Sequence, residues 1–227
     1  MRRDPAFSQA ERDAVYRAIA LRRDMRHFCG GQVPDDQLRR LLTAAHQAPS
    51  VGLMQPWRFI RIRSLELRQA LHQLVEQERC LTAQALGERE DEFMKLKVQG
   101  ILQAAEVWVV ALPNDRERHI FGRRTLPEMD LASAACAIQN MWLAARAEGL
   151  GMGWVSMFCP QQLAELLDMP QGSQPIAVLC LGPVETFYDQ PMLEAERWAQ
   201  AQALAGMVFE DGWGQLSSAL TAASPIK

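Results

Sequence analysis

Two stretches near the start of the chain carry apolar residues at the spacing of amphipathic helices. The first covers residues 8–21, and the second runs from Pro34 to about His46. A proline followed by two aspartates is typical of a helix start, because proline fixes φ and acidic groups favour the positive end of the helix dipole. A further helix is expected to begin at Pro160 and to continue through Leu167.

Four segments have the apolar patterns of β-strands. Residues 57–62 alternate apolar and basic side chains, which is typical of a half-buried strand. Residues 107–112 and 176–182 are continuous apolar runs, which predict strands buried on both faces. Residues 151–157 form the fourth predicted strand. Helices and strands that alternate in this way indicate an α/β (α+β) fold.

Three regions have compositions that suggest special roles. Residues 125–128 have the spacing of a capping box, and they open a nearly all-apolar helix to about Gly149 that we expect in the core or in a subunit interface. Residues 65–100 are polar and helix-forming, with dense charge at 88–92, which indicates either a solvated helix face or a lid. Beyond Gly182 no periodic core is visible, and the aromatic residues of 207–213 would bury against a partner subunit.

Composition narrows the class of protein. The 227 residues, 48% hydrophobic and 22% charged, are predicted to form one domain. A net charge of −3 excludes the one-sided basic field of a dedicated nucleic-acid binder. The five cysteines form no C-x-x-C pair, so we expect neither a disulfide framework nor a zinc site. With no secretory signal and no run of about 20 apolar residues, we expect no membrane association and a soluble cytoplasmic protein.

Candidate chemistry starts with three arginines within five residues, Arg22, Arg23 and Arg26. Guanidinium groups bind phosphate oxygens in a bidentate way, and Arg22 and Arg26 would share one face if the first helix persists. The alternative is a solvated helix end. Neither a Walker loop nor a G-x-G-x-x-G follows any predicted strand, so any phosphate site is of another kind. The loop at 48–57 could present polar groups to a flat ring, or it is simply a turn.

The motifs R-R-D-M-R-x-F at 22–28, A-P-S-V-G-L-M-Q-P-W at 48–57 and G-L-G-M-G-W-V-S at 149–156 occur in this order. With L-G-P-V-E-x-F-Y-D-x-P-M-L at 181–193 and F-E-D-x-W-G at 209–214, they resemble the flavin-dependent nitroreductase superfamily over nearly the whole chain. Ordinary nitroreductases usually have serine or threonine at the position of Asp24, asparagine at that of Leu53, and a P-x-x-G pattern near Ser156. In these three respects the chain is similar to the 5,6-dimethylbenzimidazole synthase branch.

The resemblance implies a fold and a reaction. The fold is a central, mostly antiparallel sheet flanked by helices, in a single FMN-binding domain with a lid at about 72–100 and a C-terminal arm at about 183–227. The reaction is the fragmentation of reduced FMN by O2 to 5,6-dimethylbenzimidazole, the lower ligand of vitamin B12, and to a tetrose phosphate. It also implies a homodimer, a separate reductase that supplies reduced FMN, and no metal.

The resemblance further implies which residues form the site. Asp24 and Ser156 are the expected reactive pair, and the FMN contacts are expected from Arg22, Arg23, Asp24, Met25, Arg26, Ser50, Met54, Leu102 and Ser156. The arginines would hold the phosphate and ribityl chain, Ser50 and Met54 would line the flavin, and Leu102 would form an apolar wall beside the ring.

Two functional assignments leave alternatives open. Asp24 can act as a general base, and neighbouring arginines are expected to lower its pKa, but it could instead only order Arg22 or Arg26 through a salt bridge. Ser156 can hydrogen-bond the flavin N5 edge or bound oxygen, or it is an ordinary strand hydroxyl.

The remaining reactive side chains do not indicate further chemistry. Cys136 and Cys180 are expected to behave as small hydrophobes, and His27 to have no special role. Competing functions are an NAD(P)H-dependent FMN nitroreductase and a non-enzymatic FMN carrier.

Overall fold

A computed structural model of the chain describes residues 5–217. It separates into two compact units, one ending at Asp189 and the other beginning at Gln190. The first unit contains the sheet and the six longer helices. Within residues 5–217, no helix combines the length and the apolar character needed to cross a bilayer.

The first unit is built on a four-stranded sheet in the order β1-β2-β4-β3, and every neighbouring pair is antiparallel. The strands are β1 (Arg58–Arg61), β2 (Glu106–Leu112), β3 (Gly151–Val155) and β4 (Gln174–Gly182). All seven residues of β2 are buried, as its apolar run predicts. The antiparallel arrangement and the position of each strand are therefore confirmed.

Helices cover both faces of the sheet. They are α1 (Gln9–Leu21), α2 (Asp35–His46), α3 (Leu65–Leu86), α4 (Glu90–Lys95), α5 (Met129–Ala147) and α6 (Pro160–Leu166). Alternate residues of β2 enter two separate cores, because side chains of a strand point to opposite faces. Trp108 and Val110 pack with α2 and α5, whereas Val107 and Val109 pack with α3 and α6. The sheet thus forms the middle of three layers.

The start of α5 differs from the prediction. No capping box forms at 125–128: the helix begins at Met129, and its N-cap residue Glu128 makes no side-chain hydrogen bond. The start of α5 is held instead by the buried Asp130. Its Oδ2 lies 3.0 Å from Nη2 of Arg123 and 3.3 Å from Nε of Arg116. A tertiary ion pair fixes this helix end. The chain does form a capping box at the start of α1, between Ser8 and Glu11.

The polar region after β1 is helical as predicted, but its first half is part of the core. Leu71 and Val75 of α3 are fully buried in the core shared with α6. After α3 the chain passes through a 3-10 turn at Gly87–Arg89 and α4 before it returns towards β2. Further along the region, Ala83, Phe93 and Leu96 are buried as well.

All five cysteines are free, but they lie in different environments. Cys180 is buried in β4, as expected, and burial raises the pKa of its thiol to about 11, so it is a poor nucleophile at neutral pH. The same expectation for Cys136 was wrong. Cys136 is exposed on α5, on a side of the helix that carries further apolar residues such as Leu131 but that the core of this chain does not cover.

The second unit has little regular structure, in agreement with the predicted tail. Its described part contains the short helix α7 (Met192–Ala195), a 3-10 turn at Leu204–Gly206 and a single β-bridge between Phe209 and Leu216. Phe209 and Trp213 contact each other, with ring centroids 5.2 Å apart. The predicted arm extends to 227, and its last ten residues lie outside the described part.

Candidate active site

The arginine-rich segment, which we define as residues 22–28, lies along the outer edge of β3. The helix α1 ends at Leu21, and Arg22 already has extended backbone angles. Asp24 forms a parallel β-bridge with Met152, and the Met25 amide donates to the Met152 carbonyl at 3.0 Å. Arg22 and Arg26 therefore do not share a helix face. Instead, Asp24 and Arg26 project to the same side of an extended segment, whereas Met25 projects to the other side and is fully buried.

Glycine at position 153 allows this close approach. A Cβ atom on Gly153 would lie 2.3 Å from the Met25 carbonyl oxygen and 3.2 Å from Oδ1 of Asp24. At Gly151 it would meet Val184 and the Met25 side chain. Gly151 and Gly153 of the G-L-G-M-G-W motif thus have a packing reason, because the segment of residues 22–28 lies directly on β3.

Asp24 is held by two donors. Its Oδ1 accepts a hydrogen bond from the Trp154 amide at 3.1 Å, and its Oδ2 lies 2.5 Å from Nη2 of Arg26. The same Nη2 donates to the Trp154 carbonyl at 2.7 Å. Arg26 is only 8% exposed, so this pair is partly shielded from water. The geometry makes the Asp24 carboxylate a fixed feature of the site.

The direction of the Asp24 pKa was predicted wrongly. Burial of the carboxyl group raises its pKa above the ordinary value, and the opposing effects of Arg26, the Trp154 amide and Arg22 do not cancel it. The sequence shows the neighbouring charges, but the loss of water around the carboxylate arises from the packing against β3.

The three arginines have different surroundings. Arg23 uses its terminal nitrogens on main-chain carbonyls: Nη1 lies 2.8 Å from Ala20 O and 2.7 Å from its neighbour's carbonyl, and Nη2 lies 3.0 Å from Asp189 O. Arg22 stacks on the Trp142 ring, with its guanidinium carbon 4.7 Å from the ring centroid. This leaves Arg22 as the arginine best placed to bind an external anion, with the charges of its two neighbours close by.

Ser156 continues the edge of β3 that Asp24 occupies. Met152 and Trp154 direct their main-chain groups to this edge, and Ser156 follows Trp154 by two residues, a separation of about 7 Å in an extended chain. Its side chain is exposed just beyond the strand end. The structure therefore brings Asp24 and Ser156 to the same edge of the sheet.

Leu102 lies on a turn that packs beside the arginine-rich segment. A Cβ atom on Gly100, at the start of this turn, would meet the Phe28 ring at 2.5 Å and the Arg26 carbonyl at 3.1 Å. Ile101 is fully buried, whereas Leu102 is 42% exposed. An apolar side chain is thus available close to Arg26.

Ser50 and Met54 lie elsewhere in the protomer. The Val51 amide, next to Ser50, donates to Oγ of Ser133 on α5 at 3.0 Å. Ser133 and Trp142 are nine residues apart, which is two and a half helical turns and about 14 Å of rise. They therefore point to opposite sides of α5, which separates the loop of Ser50 from the Trp142 ring that supports Arg22.

The loop that contains Ser50 has a strained backbone. Leu53 and Gln55 both have positive φ, 52° and 48°, although neither is glycine. Oγ of Ser50 accepts the Gln55 amide at 3.0 Å, and Leu53 is 81% exposed. Such strain is costly and is concentrated at functional sites. It therefore favours a ligand-binding role for this loop over the alternative of a simple turn.

Several residues of the site were not identified from the sequence. Trp142 donates its indole N–H to the Arg23 carbonyl at 3.2 Å while its ring supports Arg22. Tyr188 contacts both Arg26 and His27. The sequence contains the F-Y-D motif at 187–189, but nothing in this motif indicates that Tyr188 lies near residue 26.

These donors fit a phosphate-bearing ligand. Arg22, Arg23 and Arg26 supply three positive charges against the single negative charge of Asp24, and this surplus is local in a chain of net charge −3. Ser156 follows Trp154 by two residues at the end of β3, and Leu102 lies on the turn whose Gly100 packs against the Phe28 ring and the Arg26 carbonyl. The combination suits a ligand with an anionic end and a flat ring.

Comparisons with known proteins show the family to which this chain belongs. The nitroreductase family model matches residues 19–183. The 5,6-dimethylbenzimidazole synthase of Rhodospirillum rubrum is 37% identical over 202 residues, which cover 87% of this chain and 95% of that protein.

Solved structures show the same fold. The NADPH:FMN oxidoreductase of Vibrio harveyi complexed with NAD+ superimposes with a TM-score of 0.66 and 20% identity, over 90% of this chain and 80% of that one. Iodotyrosine deiodinase bound to FMN and 3-iodo-L-tyrosine gives a TM-score of 0.63 and 21% identity, over 78% of this chain and 94% of that one. The chain therefore belongs to the nitroreductase family, in the branch of the 5,6-dimethylbenzimidazole synthases.

Proposed function

We propose that this chain is an oxygen-dependent 5,6-dimethylbenzimidazole synthase that consumes reduced FMN. The observation that carries the proposal is the fixed carboxylate of Asp24, held by Arg26 and the Trp154 amide on the edge of β3 that leads to Ser156. The similarity to the Rhodospirillum rubrum synthase over most of both chains supports the same conclusion.

Reduced FMN supplies the electrons for O2 and the carbon atoms of the product. Arg22 and its two arginine neighbours bind the phosphate and hold it at the end of α1. Burial raises the pKa of Asp24 while Arg26 stays paired with it, and a carboxylate with a raised pKa is a better proton acceptor, so Asp24 can take up a proton and return it. Ser156 offers a hydroxyl to the ring edge or to bound oxygen.

A homodimer would complete the site. In one protomer Ser50 and Met54 belong to the opposite side of α5 from the arginines, so we propose that a second copy brings its own Ser50 and Met54 to the flavin. The segment after Val75, as far as about residue 100, would then close over the ring and exclude water and nicotinamide, beside Leu102. Five free cysteines suit the reducing cytoplasm that we propose as the location.

The decisive experiment supplies chemically reduced FMN to the purified protein in air and measures 5,6-dimethylbenzimidazole by chromatography and mass spectrometry. The proposal predicts product without any nicotinamide, since a separate reductase would provide reduced FMN in the cell. Catalytic oxidation of NAD(P)H with intact FMN would identify a nitroreductase instead. Tight FMN binding with neither reaction would identify a carrier.

A further inference from the structure

The segment that follows β4 forms a strap across the arginine-rich segment. We define this strap as residues 183–189. Its Pro183 carbonyl accepts the Cys29 amide at 3.0 Å, and the Asp189 carbonyl accepts Nη2 of Arg23 at the same distance. Between these points, the Phe187 ring lies 3.9 Å from the guanidinium carbon of Arg146 on α5. Both ends and the middle of the strap are therefore anchored.

Tyr188 is the residue of the strap that reaches the site. Its hydroxyl oxygen accepts the main-chain N–H of Arg26 at 3.2 Å and lies 2.6 Å from Nδ1 of His27. The Tyr188 and His27 rings meet edge to face, with centroids 6.0 Å apart. A half-buried tyrosine thus contacts two consecutive residues of the segment that carries Asp24.

The contact between the Tyr188 hydroxyl and the Arg26 amide matters because the groups on either side of this amide are also bound. The Met25 amide is bound to Met152, and the Arg26 side chain turns back to Asp24 and the Trp154 carbonyl. Tyr188 fixes the next amide along the chain, so it sets the angle at which the Arg26 side chain leaves the main chain. The contact between Nη2 of Arg26 and Oδ2 of Asp24 depends on that angle, because hydrogen bonds weaken as donor and acceptor lose their alignment.

We propose that Tyr188 is a positioning residue that holds Arg26 in register with Asp24, a role that rests on the proposed function of Asp24. It touches neither of the reactive side chains. Its hydroxyl acts through the Arg26 main chain, and His27 keeps that hydroxyl oriented. Phosphate binding depends mainly on Arg22, which Tyr188 does not contact. Loss of the hydroxyl should therefore harm the reaction more than flavin binding.

The test compares Tyr188→Phe with Tyr16→Phe, because Tyr16 is the other tyrosine of the chain and is 67% exposed on α1. With reduced FMN in air, the yield of benzimidazole per FMN consumed should fall about fivefold in Tyr188→Phe, the effect of one lost hydrogen bond, with oxidised FMN making up the difference. The dissociation constant for oxidised FMN should change less than about twofold, and Tyr16→Phe should match the parent in both measurements.

A second measurement does not depend on the reaction. Hydrogen–deuterium exchange resolved to single amides should be about fivefold faster at Arg26 in Tyr188→Phe than in the parent, and unchanged in Tyr16→Phe. Unaltered exchange at Arg26 or an unaltered product yield would overturn the proposal. A parent chain that binds FMN but makes no benzimidazole rejects the proposed function, and the exchange result then still decides whether Tyr188 holds Arg26.

The variant His27→Ala separates the two contacts of Tyr188. It leaves the hydroxyl and its Arg26 bond in place, so its product yield should lie between those of the parent and of Tyr188→Phe. A loss in His27→Ala as large as that in Tyr188→Phe would show that the hydroxyl works through His27, and the proposed role through Arg26 would be wrong.

Discussion

Asp24 and Arg26 meet across a single intervening residue, with 2.5 Å between Oδ2 of the carboxylate and Nη2 of the guanidinium. The pair exists because the chain is extended here, which turns alternate side chains to the same side, and because β3 offers the Trp154 amide to the first and the Trp154 carbonyl to the second. The salt bridge that the sequence left as an alternative role for Asp24 is thus present. This salt bridge is compatible with the proton transfer that we propose, since each oxygen of the Asp24 carboxylate accepts one hydrogen bond and keeps a further lone pair.

Replacing Asp24 by asparagine should abolish benzimidazole formation, because the amide has nearly the same shape but cannot accept a proton. Loss of a general base is expected to reduce the rate by about 10²- to 10⁴-fold. Product is measured after reaction of reduced FMN in air, and fluorescence titration with oxidised FMN serves as the control. Wild-type yield from Asp24→Asn would show that the carboxylate only orders Arg26.

The pH dependence should report the raised pKa of Asp24. A base must be ionised to act, so product yield should decline as the pH falls through a value above the ordinary range for aspartate. The charge of Arg26 lowers this pKa, and its removal in Arg26→Gln should move the acidic limb to higher pH. The yield is measured over a pH series that extends upward from the ordinary aspartate pKa of about 4. An acidic limb that stays at the same pH in Arg26→Gln would contradict the assignment to Asp24.

Gly153→Ala should loosen the contact between the arginine-rich segment and β3. The new methyl group would lie 2.3 Å from the Met25 carbonyl oxygen, which cannot move without breaking the bridge to Met152. Overpacking of this kind costs about 1–3 kcal/mol of unfolding free energy. The matched control is Gly206→Ala, since nothing lies within 4 Å of its added Cβ. Urea denaturation of both variants measures the difference, and equal stabilities would contradict the contact.

Trp142→Phe should weaken FMN binding without abolishing it. The change removes the hydrogen bond to the Arg23 carbonyl and weakens the stacking that supports Arg22. Together these contacts are expected to contribute about 1–2 kcal/mol, or about 5- to 30-fold in the dissociation constant. Fluorescence titration with FMN tests this, and thermal unfolding of the free protein checks that the core around α5 is intact. An unchanged affinity would mean that Arg22 does not bind the phosphate.

Asp130→Asn should destabilise the fold without a direct effect on the site chemistry. The carboxylate is buried between Arg116 and Arg123, and its loss leaves, within residues 5–217, only the exposed Glu117, 3.4 Å from Arg123, to oppose their charge, at a cost of up to about 3–5 kcal/mol. Asp115→Asn is the control, because Asp115 pairs with the exposed Arg118, and such surface pairs contribute about 0–1 kcal/mol. Similar midpoints of urea unfolding in the two variants would show that the buried pair is not needed.

The predicted helices and strands correspond closely to the observed ones, since apolar periodicity is a local property of the chain. The capping box predicted at 125–128 does not form, and the reason lies outside these four residues. The buried Asp130 meets arginines from the preceding loop, and this ion pair determines where α5 begins. The exposure of Cys136 is a second exception, because an apolar sequence window does not show which side of a helix meets the core.

For the site, the sequence by itself determined the types of residue: the arginines, Asp24, Ser156 and the glycine-rich motif all follow from local spacing and from resemblance. Only the tertiary structure decided how they act. It ended α1 at Leu21, placed Asp24 against β3, and raised the pKa of its carboxyl group where neighbouring charge alone suggested the opposite. Desolvation and contacts between distant segments depend on the packed fold, whereas charge and periodicity can be read from neighbouring residues.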